Sequence, residues 1–391
     1  MKTIRKSKQE ITRYRYQTDS TYFAQISDEI KDLAVEELER LGAGNITAGF
    51  RGIHFQADQA ALYRIHYATR VISRIVAPLI SFECKDSDRL YQEGKTVRWE
   101  DFFTPETTFA VSANVSDSHI THSKYAALRL KDAIVDYFRE KTGTRPNVDT
   151  LNPDLQLNLH IRHNLADIGL DTSGGPLHKR GYREEAVTAP MQETIAAAII
   201  RHTQWDGTTP LIDPMCGSGT LLCEALMKYS HIPPGFLRRK FGFESLPDFN
   251  RSLWLQTKKQ EDDRIRPLPR GLIYGSDISG HAVRASKINL MGLPHGNQVV
   301  VEKIDFREIP VMENRMIVTN PPYGIRMGKN MNLDDLYKSL GDFLKQRCKG
   351  STAYIYFGDR EFIKKIGLKA SWKKPIKTGG LDGRLVKFEM Y

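Results

Sequence analysis

"LIDPMCGSGTLLCEALMKYS", residues 211–230, is the stretch on which the reading of this chain turns. An apolar run ends in Asp213, bends through Gly217 and Gly219, and passes into a helical pattern. A strand that feeds a helix through a glycine turn opens a doubly wound α/β sheet, whose ligands bind beyond the carboxyl ends of the strands. Glycines in such a turn let the backbone approach a ligand closely. A dinucleotide fingerprint would need a third glycine where Leu222 stands, and no P-loop lysine follows Gly219. The turn therefore suits a small ligand without a pyrophosphate.

The same pattern continues downstream. "GLIYGSD", "SGHAVRASKINLMGL", "QVVVEKID", "RMIVTN", "NLDDLYKSLGDFLKQR" and "TAYIYFG" alternate strand and helix patterns, which predicts a largely parallel sheet. Three further strand ends carry polar residues. Asp277 follows the second strand, in the place from which an acid binds a ribose diol, although it comes far later than the usual ~20 residues. The intervening residues 231–270 must form an insertion or a lid. Asp305 and Phe306 follow a third strand and could hold an adenine amine and face.

The fourth strand ends in "TNPPYGIRM", residues 319–327, where two consecutive prolines can continue neither helix nor ladder. A planar exocyclic amine is a poor nucleophile because its lone pair is delocalised into the ring. A site helps by accepting hydrogen bonds from that amine while an electrophile faces the lone pair. Asn320 Oδ1 and the Pro321 carbonyl are suitable acceptors, Pro321 and Pro322 freeze the corner, and Tyr323 offers a stacking face for a base taken out of its helix. The bland reading of the corner is a Pro-Pro turn. Three carboxylates in register at neighbouring strand ends weigh against it.

The first 170 residues read differently. "YFAQIS" alternates like a strand, "DEIKDLAVEELERLG" predicts a helix capped by Asp28 and stopped by Gly42, and "ITAGFRGIHFQA" predicts two strands around Gly52. "ADQAALYRIHYATRVISRI" has helical spacing throughout. "TFAVSANV" and "DLQLNLHIRHNLADIGLD" read as strands, with the helix "SKYAALRLKDAIVDYFREKTG" between them, ended by Gly143. This mixed order predicts an α+β module ahead of the α/β domain, with a boundary near 174–188. The basic faces available for phosphates are a tail over residues 1–17, the exposed side of the 123–142 helix (Lys124, Arg129, Lys131, Arg139 and Lys141) and the turn "LHKRGYRE".

Composition bounds these readings. The chain has 391 residues, net charge +10 and a pI of about 9.2, which favours a polyanionic partner and two or three domains. Cys84, Cys216, Cys223 and Cys348 form no C-x-x-C pair and His160 and His163 stand apart from other ligands, so no metal or disulfide is expected and a reducing cytoplasm is the simpler setting. The N-terminus carries no apolar signal region and no run of 18 apolar residues exists, so no membrane partner is expected.

"DPMCGSGT" with "NPPY" resembles the class I S-adenosylmethionine-dependent amino-methyltransferases. "DTSGGPLHKRGYRE", "APMQETIAAAI", "DPMCGSGTLLCEA", "PPGF" and "NPPYGIR" together resemble the bacterial 23S rRNA guanine-N2-methyltransferase family, over roughly residues 20–391. The match is to the N-terminal half of the bifunctional enzyme or to its stand-alone relatives. The resemblance implies a Rossmann-like domain with a seven-stranded, mostly parallel sheet over 185–391, preceded by a ferredoxin-like segment (18–75) and a THUMP RNA-binding domain (76–175). It implies that Asp213, Pro214, Cys216, Gly217, Ser218, Gly219 and Thr220 line the methionine end of S-adenosylmethionine. Asp277 and Ile278 would then serve the ribose, Asp305 and Phe306 the adenine, and Asn320 to Tyr323 the guanine. The implied substrate is 23S rRNA, in its domain V, and a single activity is expected. Ile325 stands where the family often carries Glu. NPPY also occurs in DNA adenine and protein glutamine methyltransferases, and a tRNA guanine-N2-methyltransferase and a non-catalytic RNA-binding module stay open as alternatives.

Overall fold

The computed structural model describes residues 13–49, 52–185, 190–323, 332–377 and 381–391. Fourteen strands among them form two seven-stranded sheets. The N-terminal strands are β1 (Thr21–Gln25), β2 (Gly44–Gly49), β3 (Gly52–Gln56), β4 (Arg74–Glu83), β5 (Phe109–Ser116), β6 (Leu155–Arg162) and β7 (Leu165–Asp171). They lie in the order β2-β3-β1-β4-β7-β6-β5, so the first two modules share one sheet.

Strand β4 makes that junction. It pairs antiparallel with β1 through Val76 and Phe23, and with β7 through Val76 and Asp171. Its register shifts between Pro78 and Ile80, where a proline without an N–H is tolerated. Helical spacing predicted one helix across 57–75, but the helix is Gln59–Ala68 and the chain is already a strand at Arg74. Nor does Asp28 cap a continuous helix. A 3₁₀ turn, Asp28–Ile30, precedes the helix Lys31–Arg40. The β6–β7 hairpin turns through His163 and Asn164, both left-handed (φ 49° and 60°), which matches the twist of the strands it joins.

The second sheet comprises β8 (Leu211–Asp213), β9 (Ile273–Asp277), β10 (Val300–Lys303), β11 (Met316–Thr319), β12 (Thr352–Phe357), β13 (Trp372–Pro375) and β14 (Arg384–Glu389). Their order is β10-β9-β8-β11-β12-β14-β13, parallel from β10 to β12 with β14 antiparallel to both its neighbours. Both faces are covered, as a parallel sheet requires. Along β12, Tyr354 and Tyr356 face one core with the helix Thr220–Tyr229, while Ala353, Ile355 and Phe357 face another with Tyr337, Leu340 and Phe343 of the helix Leu333–Arg347.

Residues 231–270 form a seam rather than a lid. Trp254, on the helix Arg251–Asp262, packs edge-on to Tyr63 and Tyr67 of the N-terminal helix and to Phe241 and Phe243. Tyr16 Oη donates to Asp248 at 2.7 Å and Tyr67 Oη to Asp262 at 2.6 Å. The stretch read as a tail thus enters the fold by the buried Tyr14 and Tyr16, the N-cap and second residue of the helix Arg15–Asp19, while its lysines and Arg5 lie outside the described residues. Arg70 Nη2 reaches across to the carbonyls of Met227 and Ile232 at 2.9 and 3.0 Å. Among the described residues no helix is long and apolar enough to cross a membrane, and no group of three His, Cys, Asp or Glu could hold a metal ion.

Trp254→Ala should destabilise the protein by about 3 kcal/mol, because it empties an aromatic cluster that cannot collapse. Denaturant unfolding measures this, and limited proteolysis should cut between the two halves sooner. A loss within 0.5 kcal/mol would mean that the seam is not a packed core.

Candidate active site

The chain leaves β8 outward in one direction to β9 and β10, and returns on its other side to β11 and β12. The crevice beyond β8 and β11 is therefore the switch point of the sheet. Asp213, Asp277 and Asn320 stand at the ends of three adjacent strands, and Asp305 follows the fourth, β10.

The loop after β8 is shaped by its own backbone. Gly217 and Gly219 are left-handed (φ 53° and 78°), and a Cβ on Gly219 would stand 2.7 Å from Ser286 Oγ. Gly217 N donates to Asp277 Oδ2 at 2.9 Å, which ties the loop to the end of β9. Ser279 N donates to the other oxygen at 2.9 Å. Each carboxylate oxygen keeps a second lone pair for a hydroxyl. From the opposite side the helix Gly280–Met291 holds the loop: Ser286 Oγ donates to the Gly217 carbonyl at 2.8 Å and Asn289 Nδ2 to the Ser218 carbonyl at 3.0 Å. Sequence reasoning missed both. Their signal is two fully buried polar residues three apart, on the packed face of a helix. Cys216 is buried, which pushes its thiol well above the usual range and makes it a packing residue.

Asp213 is 1% exposed. Its Oδ1 accepts from Thr319 Oγ1 at 2.7 Å and from Met215 N at 3.2 Å. Burial still dominates and pushes its carboxyl up to about 7. Asp305 is the opposite case. Arg307 grips it through Nε at 3.0 Å and holds its carboxyl below the usual range. Phe306 does not present an open face, being 3% exposed and packed against Phe343, whereas Ile278 beside Asp277 is 59% exposed.

At the end of β11, Asn320 Oδ1 is buried and has no hydrogen-bond partner among the described residues. A buried acceptor left unpaired costs about 1–3 kcal/mol, and such a cost is kept where a ligand supplies the donor. The Pro322 carbonyl is already taken by Tyr337 Oη at 3.2 Å. Tyr323 is half-buried, edge-on to Tyr356 with ring centres 6.3 Å apart, and covers Gly358, where a Cβ would meet its ring at 2.2 Å. One flank of Tyr323 is thus fixed by packing. Ile325 lies outside the described residues.

The surfaces expected to track phosphates are largely spent on the fold. Arg180 of the "LHKRGYRE" turn is buried, paired with Glu224 and donating to the Leu177 carbonyl at 2.7 Å. On the helix Ser123–Thr142, Arg129 pairs with Asp88, Lys131 with Asp132, Arg139 with Asp136 and Lys141 with Glu100, while Lys124 stands exposed.

Asp213 carries a pH signature. Its folded value is raised, so folding favours the protonated form, and stability falls between about pH 4 and pH 7 and is then level. That loss is at most about 4 kcal/mol, at roughly 1.4 kcal/mol per unit. Asp213→Asn should flatten it, so that the variant gains on the wild type as pH rises from 4 to 7. Unfolding curves across that range measure the difference, and a constant difference would refute the assignment.

The comparisons with known proteins follow this layout. Residues 180–387 match the RMKL-like methyltransferase domain, 84–171 the THUMP domain and 21–76 the RlmL ferredoxin-like domain. A "putative RNA methyltransferase" of Synechocystis sp. is 36% identical over 96% of this chain and 98% of its own length. The ribosomal RNA large subunit methyltransferase K/L of Photobacterium profundum is 36% identical over 92% of this chain, which spans 52% of that relative. Among solved structures, a "putative methyltransferase complexed with SAH" superposes with a TM-score of 0.82 at 26% identity, covering 95% of this chain and 98% of the other. A "predicted N6-adenine-specific DNA methylase" from Listeria monocytogenes gives 0.81 at 26% identity, covering 95% and 96%. By its catalytic domain and by full-length likeness, the chain belongs to the RMKL-like methyltransferase family.

Proposed function

We propose that this protein transfers a methyl group from S-adenosylmethionine to the exocyclic N2 of a guanosine in RNA, with large-subunit ribosomal RNA as substrate. The observation that carries the reading is Asn320 Oδ1, a buried acceptor without a donor among the described residues, at the end of the strand beside Asp213. Relatives named large subunit methyltransferases, together with the THUMP domain, support RNA as the substrate class.

The residues present fit the cofactor. The left-handed Gly217 and Gly219 turn the loop tightly, with Gly219 against Ser286, Asp277 keeps free lone pairs for a diol, and no phosphate-binding lysine accompanies them. Asp213 to Thr220 would hold the methionine end, Asp277 the ribose and Asp305 the adenine amine, with the exposed Ile278 against the adenine face. When bound, the cofactor supplies an electrophilic methyl group on a sulfonium. Asn320 Oδ1 and the Pro321 carbonyl accept the two N–H bonds of the guanine amine and so aim its lone pair. Tyr323, braced by Gly358 and Tyr356, stacks on the flipped base. The methylated nitrogen is strongly acidic and releases its proton to water, so no base of high pKa is needed.

These acceptors matter most as the nitrogen rehybridises, so their loss belongs in turnover rather than in ground-state affinity. Asn320→Ala should lower single-turnover methylation of a 23S rRNA domain V fragment by about 100-fold or more, as the loss of one preorganised polar group does elsewhere. Binding of S-adenosylhomocysteine should stay within about twofold of wild type, since Asn320 contributes chiefly in the transition state. Digestion and mass analysis of the product identify the modified base. Near-normal turnover in the variant, or a product other than N2-methylguanosine, would contradict the reading.

A further inference from the structure

Arg183 follows the turn that joins the two halves of the chain. Its Nε donates to Glu193 Oε1 at 3.0 Å, and its Nη2 to the Met191 carbonyl at 2.9 Å and to Thr220 Oγ1 at 3.2 Å. Its third nitrogen, Nη1, is buried and has no hydrogen-bond partner among the described residues. The side chain is 18% exposed. A guanidinium carries five donors, and a buried one left with an unused nitrogen is costly unless a ligand completes it.

The position of Arg183 shows which ligand. Thr220 is the first residue of the helix that follows Gly219, so the guanidinium sits at the N-terminus of a ten-residue helix, where negative charge is favoured. The joint that carries Arg183 is also sewn to the loop. Asn289 Oδ1 accepts from Glu184 N at 2.9 Å, while Asn289 Nδ2 donates to the Glu185 carbonyl at 2.9 Å and to the Ser218 carbonyl at 3.0 Å. The group therefore moves with the cofactor loop.

We propose that Arg183 Nη1 receives the α-carboxylate of the cofactor's methionyl end. The proposal rests on the cofactor reading above and adds to it a residue that is not among the expected cofactor contacts. It also assigns Glu193 a role: its carboxylate, itself buried, competes for the guanidinium and tempers its charge.

The test uses the full chain and two ligands in calorimetric titration. S-adenosylhomocysteine carries the carboxylate, and 5′-deoxy-5′-methylthioadenosine lacks the amino-acid end altogether. Arg183→Gln should weaken S-adenosylhomocysteine by about tenfold to a hundredfold, the range for a hydrogen bond to a charged group, and leave methylthioadenosine within about twofold. Equal losses on both ligands, or no loss on either, would overturn the proposal and leave Arg183 as a strut between Met191 and Thr220. Glu193→Gln keeps Arg183 and removes its competing carboxylate, so preference for S-adenosylhomocysteine over methylthioadenosine should rise, and a fall would overturn the proposal even if Arg183→Gln fails to fold. If wild type bound neither ligand, the cofactor reading itself would fail, which is a separate result.

Discussion

The hydrogen bond from Gly217 N to Asp277, 2.9 Å long, ties together parts of the chain that are sixty residues apart. It fixes the loop after β8 against the end of β9 and gives the crevice one wall. The loop can reach Asp277 because Gly217 and Gly219 adopt backbone angles that side chains avoid, and because Ser286 and Asn289 pull its carbonyls from the other side. With the loop held on two sides, Asp213 is sealed beneath it and turned toward Thr319, the residue before Asn320. Asp277 at the end of β9 and Asn320 after β11 are thus linked through neighbouring bonds.

The N-terminal half is joined to this assembly by burial rather than by a tether. One continuous core runs from Phe55 and Tyr63 through Phe243 and Trp254 to the helix behind the cofactor loop. Glu37, Arg70, Arg180 and Glu224 thread charge through the same interface: Glu37 accepts from Arg70 N at 3.0 Å, and Arg180 Nη2 donates to the Arg70 carbonyl. Buried ions of this kind are costly when a partner is lost, so the relative placement of the halves is specific. An RNA held by the first half would be presented to the crevice in one orientation.

The α/β half was legible in the sequence because each of its signals is local. A strand, its terminal acid and the glycine turn lie within ten residues, and the Pro-Pro corner announces itself. What was not legible depends on distant partners. The start of β4 reads as more helix because Arg74 and Ile75 close a helical stretch without a break, and only pairing with β1 makes them a strand. Arg180 reads as a surface cation because nothing nearby in sequence names Glu224 as its partner. The seam at Trp254 was invisible for the same reason, its contacts lying nearly two hundred residues upstream. Phe306 was misjudged as an open face because its partner, Phe343, comes from a helix on the far side of β11.

The most direct test of the account is made on ribosomes. Large-subunit rRNA from a strain lacking this gene is digested and its modified guanosines are mapped by mass spectrometry, with the wild-type gene restored as control. The account predicts that one N2-methylguanosine disappears and returns with the gene, while the other modifications persist. An unchanged set of N2-methylguanosines, or the loss of a different modification, would contradict it.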